Sequence, residues 1–260
     1  FGGGACGNWP LTSCWDNDYW TTRCAFTSYL PPLDFYNSTV RDWSVNDAIW
    51  WAREFNIDGY RLDAIKHVPL DWLTELRDAL DAQFSDPWGD RFYLVGETFA
   101  YDNQGLIADF IEPEEMLDGQ FDFPFKARLC EAVFSGAMAM NEFSTWMHSN
   151  DRFYPEGTIM TTWIGNHDIP RAIHFASRQI GDCRQGSNTG NGWNAASYTQ
   201  PTTAEPYERM EVAFAVMMTN PGIPLIYYGD EIGMAGGGDP DNRRMMVFDD
   251  ASLNSHQRAL

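Results

Sequence analysis

Residues 57–63 read Ile-Asp-Gly-Tyr-Arg-Leu-Asp, and this stretch decides the fold. Its first six residues, Ile57–Leu62, predict a short strand, and the carboxylate of Asp63 follows where the strand ends. A helix that ends near Asn56 is predicted before it and another over Leu70–Gln83 after it, because apolar residues recur there at helical spacing. A helix, a strand and a second helix in succession are typical of βα units, whose parallel strands are buried on both faces.

The same alternation continues along the chain. Four more strands are predicted, at Phe92–Gly96, Gln120–Phe123, Thr158–Ile164 and Ile223–Tyr228, with helical stretches between them near 106–116, 127–146 and 207–218. Polar or acidic residues follow several strands: Asp63, Glu97, Asp168 and Asp230. In barrel enzymes the carboxyl ends of the strands meet at the catalytic face. The fold class predicted is therefore α/β, a (β/α)8 TIM barrel of which this chain holds about strands four to eight.

Residues 1–37 differ from the rest of the chain in composition and in periodicity. They are rich in Gly, Trp, Asn, Asp and Pro without a period, and we interpret them as an irregular excursion that leaves the barrel after its third strand. Residues 38–260 are interpreted as the C-terminal part of the barrel. Because five strands alone would expose two apolar edges, we expect the missing strands to come from the rest of a longer native polypeptide.

The charge balance excludes some partners. The chain has 260 residues, with 17 Lys+Arg against 37 Asp+Glu and a net charge of −20. A phosphate backbone would be repelled, so no nucleic-acid partner is expected. No apolar run approaches the roughly 18–20 residues that cross a bilayer, so no membrane partner is expected either.

The cysteines give the weakest of these signals. There are five: Cys6, Cys14, Cys24, Cys130 and Cys183. None forms a C-x-x-C pair, so a zinc ribbon is unsupported. A bridge between Cys14 and Cys24 would close a short ring, and we interpret the odd fifth cysteine as a buried thiol. The short ring and the acidic surface favour an extracellular or periplasmic location.

Three strand ends carry residues that could do chemistry. Arg61 and Asp63 point to the same side of their strand, an arrangement that suits a nucleophile held ionised and equally a structural ion pair. Glu97 follows a glycine at the next strand end, where shielding by Phe99 and other apolar groups would favour the neutral acid, although alone it is only a carboxylate. Asp168 lies in Gly165-Asn166-His167-Asp168, which also fits a turn with a helix N-cap.

Together these segments resemble the α-amylase family of glycoside hydrolases, family thirteen. The resemblance rests on G-x-R-x-D-x-x-K-H at 59–67, G-E at 96–97 and N-H-D at 166–168, and it extends through Ile223–Glu231 and Gly238–Arg243 to Phe248. It implies that Asp63 is the nucleophile, Glu97 the general acid/base and Asp168 the carboxylate that stabilises the transition state.

The resemblance also implies a set of substrate contacts. It assigns Arg61 and His167 to the reacting sugar and to positioning the nucleophile, and Lys66 and His67 to the sugar on the leaving-group side. Asp239 and Arg243 would hold the reacting glucose. The implied activity is cleavage of α-1,4-glucosidic bonds of starch, glycogen or maltodextrins with retention, through a covalent glycosyl-enzyme intermediate. Two alternatives stay open: an α-glucan transglycosylase, and a non-catalytic sugar-binding protein on the same fold.

The chain departs from the family pattern near its start. An Asn/His motif that the family carries at strand three has no counterpart upstream of Leu30. Residues 30–34 read Leu-Pro-Pro-Leu-Asp where the family has L-P-D-L-D, so Pro32 replaces a carboxylate that ligates calcium. Of the Ca²⁺ site that the resemblance implies, the backbone carbonyl of His67 is therefore the ligand that remains.

Overall fold

The computed structural model describes residues 17–25, 30–84, 91–186 and 198–260. Its helices are α1 (Asp18–Thr21), α2 (Ser38–Phe55), α3 (Leu70–Phe84), α4 (Gln104–Ala108), α5 (Phe123–Leu129), α6 (Met140–Asp151), α7 (Ala172–Ala176) and α8 (Ala204–Thr219). Its strands are β1 (Gly59–Leu62), β2 (Tyr93–Gly96), β3 (Gly119–Gln120), β4 (Thr161–Trp163) and β5 (Ile223–Leu225). A π-helical turn spans Cys130–Ser135, and short 3-10 turns span Ile65–His67, Asp230–Ile232, Asp241–Arg243 and Asp250–Ser252.

The chain divides into two compact units. The first holds β1, β2 and β3, which pair in that order as a parallel sheet, with Gly59 opposite Tyr93 and Leu62 opposite Gly96. Its core consists mainly of apolar residues of α2, α3 and the sheet, among them Ile49, Ala52, Leu73, Leu76, Leu80 and Leu94. Burial of these side chains removes apolar surface from water, which is the main force that holds the unit together.

The second unit holds β4 and β5, a parallel pair with Thr161 opposite Ile223 and Trp163 opposite Leu225. Several of its buried side chains are aromatic, and the ring of Phe123 packs edge-on against Trp163 with centroids 4.8 Å apart. A disulfide joins Cys130 to Cys183. This bridge ties the π-helical turn to the segment that follows α7.

Most of the predicted elements are present, although several bounds differ. All five strands occur and are parallel, but β4 is shorter than the predicted Thr158–Ile164 because only Thr161–Trp163 pair with β5. The helix predicted near 106–116 is wrong beyond Ala108, where the chain makes an isolated bridge between Ile111 and Leu117. The helical stretch near 127–146 is broken by the π-helical turn and the loop after it. Helix α7 was not predicted.

The strands of the described residues form two small parallel sheets, of three and two strands. A closed barrel is not seen in that part of the chain, so the assignment to strands four to eight stays a prediction. The boundary between 37 and 38 coincides with the start of α2 but is otherwise untested, since residues 1–16 and 26–29 lie outside the described ranges. No described helix has the length and apolar character that a membrane span requires.

The described cysteines include a bridge that the sequence did not predict. Cys24, Cys130 and Cys183 are all disulfide-bonded. The expected partner of Cys24, Cys14, lies outside the described residues. The bridge between Cys130 and Cys183 was not anticipated because it joins positions 53 residues apart, and only tertiary packing brings their Cα atoms to 5.7 Å.

Candidate active site

The ends of β1 and β2 bring two carboxylates to the same edge of the first sheet. Leu62 lies opposite Gly96 in the parallel register, so Asp63 and Glu97 follow paired positions. The pairing continues past the strands, because the Glu97 backbone N–H donates to the Leu62 carbonyl at 3.0 Å. The two side chains therefore emerge side by side, as parallel pairing requires.

Arg61 links these two carboxylates. Its Nη1 pairs with Asp63 Oδ1, and its Nη2 lies 3.0 Å from Glu97 Oε2. The planar guanidinium thus contacts both acids, through a hydrogen bond to Asp63 and an ion-pair contact with Glu97. The ion pair that the sequence left as an alternative is thus present, and it includes the second carboxylate as well.

The two acids have opposite environments. The Asp63 side chain is 71% exposed, whereas that of Glu97 is 7% exposed. A β-carbon added at Gly96 would meet Leu117 Cδ1 at 2.5 Å, which explains why glycine precedes the buried acid. Phe99, which we expected to shield Glu97, is itself 40% exposed.

Lys66 and His67 lie on the 3-10 turn that follows Asp63. His67 Nδ1 donates to the Thr21 carbonyl at 3.1 Å, and burial lowers the pKa of His67 from 6.5 to about 4. The ring is therefore neutral near pH 7. Both side chains are partly buried, and both belong to the unit that holds Asp63 and Glu97.

Asp168 lies in the second unit, in the loop that follows β4. Its backbone N–H donates to Asn166 Oδ1 at 2.9 Å. His167 Nε2 lies 3.3 Å from its Oδ2, and Arg243 Nη2 lies 3.2 Å from its Oδ1. Arg243 also pairs with Asp239 at 2.6 Å. The four predicted residues His167, Asp168, Asp239 and Arg243 therefore form one cluster.

Three polar residues behind this cluster had no predicted role. Asn242 donates through Nδ2 to the carbonyls of His167 and Ile169, at 2.8 Å each. Arg171 Nη1 lies 3.6 Å from Asp230 Oδ1, and both side chains are buried.

Asp230 lies against the start of the same loop. Its carboxylate occupies the space where a side chain at Gly165 would lie, since a β-carbon there would come within 2.1 Å of Oδ2. Burial raises the pKa of Asp230 to about 7, although Arg171 opposes the rise. The sequence showed Asp230 at a strand end and Arg171 three residues after the N-H-D motif, but no pattern singled out Asn242.

The donor set for calcium is not found here. No group of three or more His, Cys, Asp or Glu side chains could hold a metal ion in the part of the chain that the structure describes. Pro32 offers no side-chain oxygen. The described residues therefore do not fit the implied Ca²⁺ site.

Comparison with known proteins adds independent findings. The family model for the α-amylase catalytic domain matches residues 7–258. A β/α-amylase of Paenibacillus polymyxa is 28% identical over 89% of this chain and 16% of its own length. A cyclomaltodextrinase of Geobacillus thermopakistaniensis is 27% identical over 88% of this chain and 33% of its own.

Solved structures agree with the sequence comparison. An Anoxybacillus α-amylase superposes with a TM-score of 0.72 at 28% identity, covering 94% of this chain and 46% of its own. An α-amylase of Geobacillus thermoleovorans, solved with acarbose, gives 0.72 at 27% identity, covering 94% and 47%. The chain thus spans about half the length of these solved relatives and a third or less of those curated relatives.

The family match covers nearly the whole chain, and the motif residues lie at the strand ends and loops where the sequence predicted them. The resemblance inferred from the motifs is therefore confirmed. This chain belongs to the α-amylase family, through its catalytic domain, whose fold is a (β/α)8 barrel.

Proposed function

We propose that the protein containing this chain hydrolyses α-1,4-glucosidic bonds of starch, glycogen or maltodextrins with retention of anomeric configuration. The observation that carries the proposal is Arg61, which binds the exposed carboxylate of Asp63 and the buried carboxyl group of Glu97 at paired strand ends. A retaining glycosidase needs two carboxyl groups with different roles on either side of the scissile bond. Different environments are the usual means of separating such roles.

In the first step a carboxylate oxygen of Asp63 attacks the anomeric carbon of the reacting glucose. The bond from that carbon to the glycosidic oxygen breaks, its electron pair moves to the oxygen, and Glu97 protonates the oxygen as the shortened glucan leaves. Arg61 contacts both carboxyl groups and would hold the two reacting side chains in place. The product of the step is an ester between Asp63 and the sugar.

In the second step Glu97, now ionised, takes a proton from water as the water oxygen attacks the anomeric carbon. The ester bond breaks and its electron pair returns to Asp63. The sugar leaves with the configuration of the substrate after two inversions. Both carboxyl groups then have the protonation states in which they began.

The other predicted residues act by binding. Asp168, held by His167 and Arg243, would stabilise the positive charge that develops on the reacting sugar. Arg243 and Asp239 would hold the hydroxyl groups of that glucose. Lys66 and neutral His67 would hydrogen-bond the sugar on the leaving-group side. The names of the relatives support an α-glucan substrate, since they include cyclomaltodextrinases and amylases.

Transfer to a sugar acceptor is the second candidate. It uses the same first step, and an acceptor hydroxyl replaces water in the second. A cyclomaltodextrin glucanotransferase of Geobacillus stearothermophilus is 28% identical over 86% of this chain, which favours keeping this outcome open. The product distribution distinguishes the two reactions.

We further propose that β1 to β5 correspond to barrel strands four to eight and that the full polypeptide supplies the others. The exposed side chains of β5 support this, because Ile223 is 41% exposed on a strand of apolar sequence.

We also propose an extracellular or periplasmic location. The disulfide between Cys130 and Cys183 supports it, because disulfides persist in oxidising compartments.

The test is turnover of a maltooligosaccharide by the full-length polypeptide, followed by ¹H NMR of the anomeric products. We expect the α anomer to form first, and Glu97→Gln to lower kcat by at least about 10³-fold while substrate binding persists. The matched control is Glu142→Gln, which changes an exposed glutamate of α6 in the same way and should turn over like the wild type. Wild-type binding without turnover would indicate the non-catalytic sugar-binding alternative.

A further inference from the structure

Asn242 is a buried polar side chain in the loop that carries Arg243. It lies at the centre of the 3-10 turn Asp241–Arg243, and its exposed fraction is 0%. An amide in such a place loses its hydrogen bonds with water, so its burial costs free energy unless protein groups replace them. The partners of this amide therefore indicate why a polar residue is present.

Those partners are the two carbonyl oxygens on either side of Asp168. Asn242 Nδ2 lies 2.8 Å from the carbonyl of His167 and 2.8 Å from that of Ile169. Carbonyl oxygens only accept, so the atom that faces them must be the amide nitrogen, which uses one hydrogen for each. The peptide groups that follow His167 and Ile169 are both fixed by one side chain.

The next residue along the chain completes the connection. Arg243 contacts the carboxylate of Asp168 at 3.2 Å, so positions 242 and 243 hold the backbone and the side chain of the same aspartate. The turn itself is anchored by Asp241, which accepts from the Gly237 N–H at 2.6 Å and from Arg244 Nε at 2.7 Å. A rigid turn can transmit a defined geometry to Asp168.

We propose that Asn242 is a positioning residue for Asp168, and that it fixes the direction of this carboxylate toward the reacting sugar. The inference rests on the role of Asp168 given under the proposed function. The Asn242 side chain donates to the backbone on either side of Asp168 and would act through that residue. Placing a catalytic group wrongly by about 1 Å can cost about 10²-fold in rate.

The first test compares Asn242→Ala and Asn242→Ser with the wild type in the full-length polypeptide, using a nitrophenyl maltooligoside. We expect kcat to fall about 10- to 100-fold for Asn242→Ala while KM changes less than about 3-fold, because Asp168 acts mainly in the transition state. Asn242→Ser keeps one donor and carries the test if the alanine variant does not fold. A wild-type kcat in a folded Asn242→Ala variant, or in Asn242→Ser where the alanine variant does not fold, would overturn the inference.

The matched control is Asn150→Ala. Asn150 is also buried, and its Nδ2 donates to Asp122 Oδ2 at 2.6 Å, away from the Asp168 loop in sequence. It removes an equivalent buried amide, so it should lower the melting temperature and leave kcat unchanged. An equal fall of kcat in Asn150→Ala and Asn242→Ala would mean that loss of stability, and not positioning, explains the result.

A double-mutant cycle separates this inference from the proposed function. If Asn242 acts through Asp168, Asn242→Ala should reduce the residual activity of Asp168→Asn by less than about 3-fold. A full 10- to 100-fold further reduction would contradict the inference. Wild-type activity in Asp168→Asn would instead overturn the catalytic role of Asp168, and with it the premise of the proposal.

Discussion

At the scale of single residues, the proposed chemistry depends most on Arg61. Its two Nη atoms contact different carboxylates, and an ammonium group on a flexible stem cannot reproduce that fork. We expect Arg61→Lys to lower kcat by at least about 10²-fold although the charge is kept. Steady-state kinetics, with the circular dichroism spectrum as a control for folding, would measure this. A lysine variant with wild-type kcat would contradict the role given to the fork.

A second prediction concerns His67 and the loss of folding stability at acid pH. Its folded pKa of about 4 is below the unfolded value of 6.5, so the unfolded state binds the proton first as the pH falls. The contribution of neutral His67 to the free energy of unfolding is therefore complete above pH 6.5. As the pH falls from 6.5 to 4 this contribution is lost, and the loss is about 3 kcal/mol at most.

The variant for this test is His67→Asn, which keeps a donor for the Thr21 carbonyl and does not titrate. Urea unfolding at pH 7 and pH 4.5 should show a smaller acid loss for the variant than for the wild type. Equal losses in the two proteins would show that His67 titrates as it does in the unfolded chain.

The sequence pointed to these candidate residues because they belong to short motifs with charged groups at fixed spacing after a strand. The sequence did not predict Asn242, because its proposed role depends on hydrogen bonds to two backbone carbonyls more than seventy residues away. A pattern of side chains carries no information about such backbone acceptors. The buried ion pair between Arg171 and Asp230 was not predicted for a related reason, because burial of a charged group depends on the folded structure and cannot be read from the sequence.

At the scale of elements, the segment after α7 is held by several different contacts. Cys183 bonds to Cys130, its carbonyl accepts from the buried Lys126 Nζ at 2.7 Å, and Arg184 pairs with Asp102 and Glu131. Cross-linking residues 53 apart restricts the unfolded chain by about 4 kcal/mol in the loop-entropy model.

We therefore expect Cys130→Ser/Cys183→Ser to lower the free energy of unfolding by about 2–4 kcal/mol. Asp102→Asn, which weakens an exposed ion pair of the same segment, should cost less than about 1 kcal/mol and serves as the control. Denaturant unfolding would measure both. Equal stability of the double serine variant and the wild type would contradict the structural role of the bridge.

Periodicity predicted the elements well where one face is apolar, as in α2 and α3. It failed where a few residues interrupt a helix, because the π-helical turn at Cys130–Ser135 keeps the apolar pattern while shifting the hydrogen bonds. Strand lengths were overestimated because apolar residues flank the paired segment, as around β4.

At the scale of the whole molecule, α2 presents an aromatic face to solvent in this chain. Trp43, Trp50, Trp51 and Phe55 are each 45–59% exposed, and the rings of Trp51 and Phe55 stack with centroids 5.0 Å apart. Such patches mark surfaces that another part of a protein covers. The 260-residue chain on its own should therefore bind a hydrophobic dye and self-associate.

Light scattering and dye fluorescence would check this expectation. Trp50→Lys/Trp51→Lys should reduce self-association, while Glu54→Lys, on the same helix, changes charge without removing an aromatic ring and is the control. A monomeric chain of 260 residues that binds no dye would argue against the proposal that the full polypeptide supplies further barrel strands. Strand alternation predicted parallel sheets, but closure of a barrel depends on long-range pairing that no local pattern contains.

The central claim is that Asp63 is the nucleophile of a retaining glycosidase, and trapping the glycosyl-enzyme tests it most directly. The full-length polypeptide would be incubated with a 5-fluoro-α-glycosyl fluoride, whose ester intermediate hydrolyses slowly, and then digested for peptide mass spectrometry. The account predicts one added sugar on the peptide that contains Asp63, and none in Asp63→Asn. A label on Asp168 or Glu97, or turnover without any label, would contradict it.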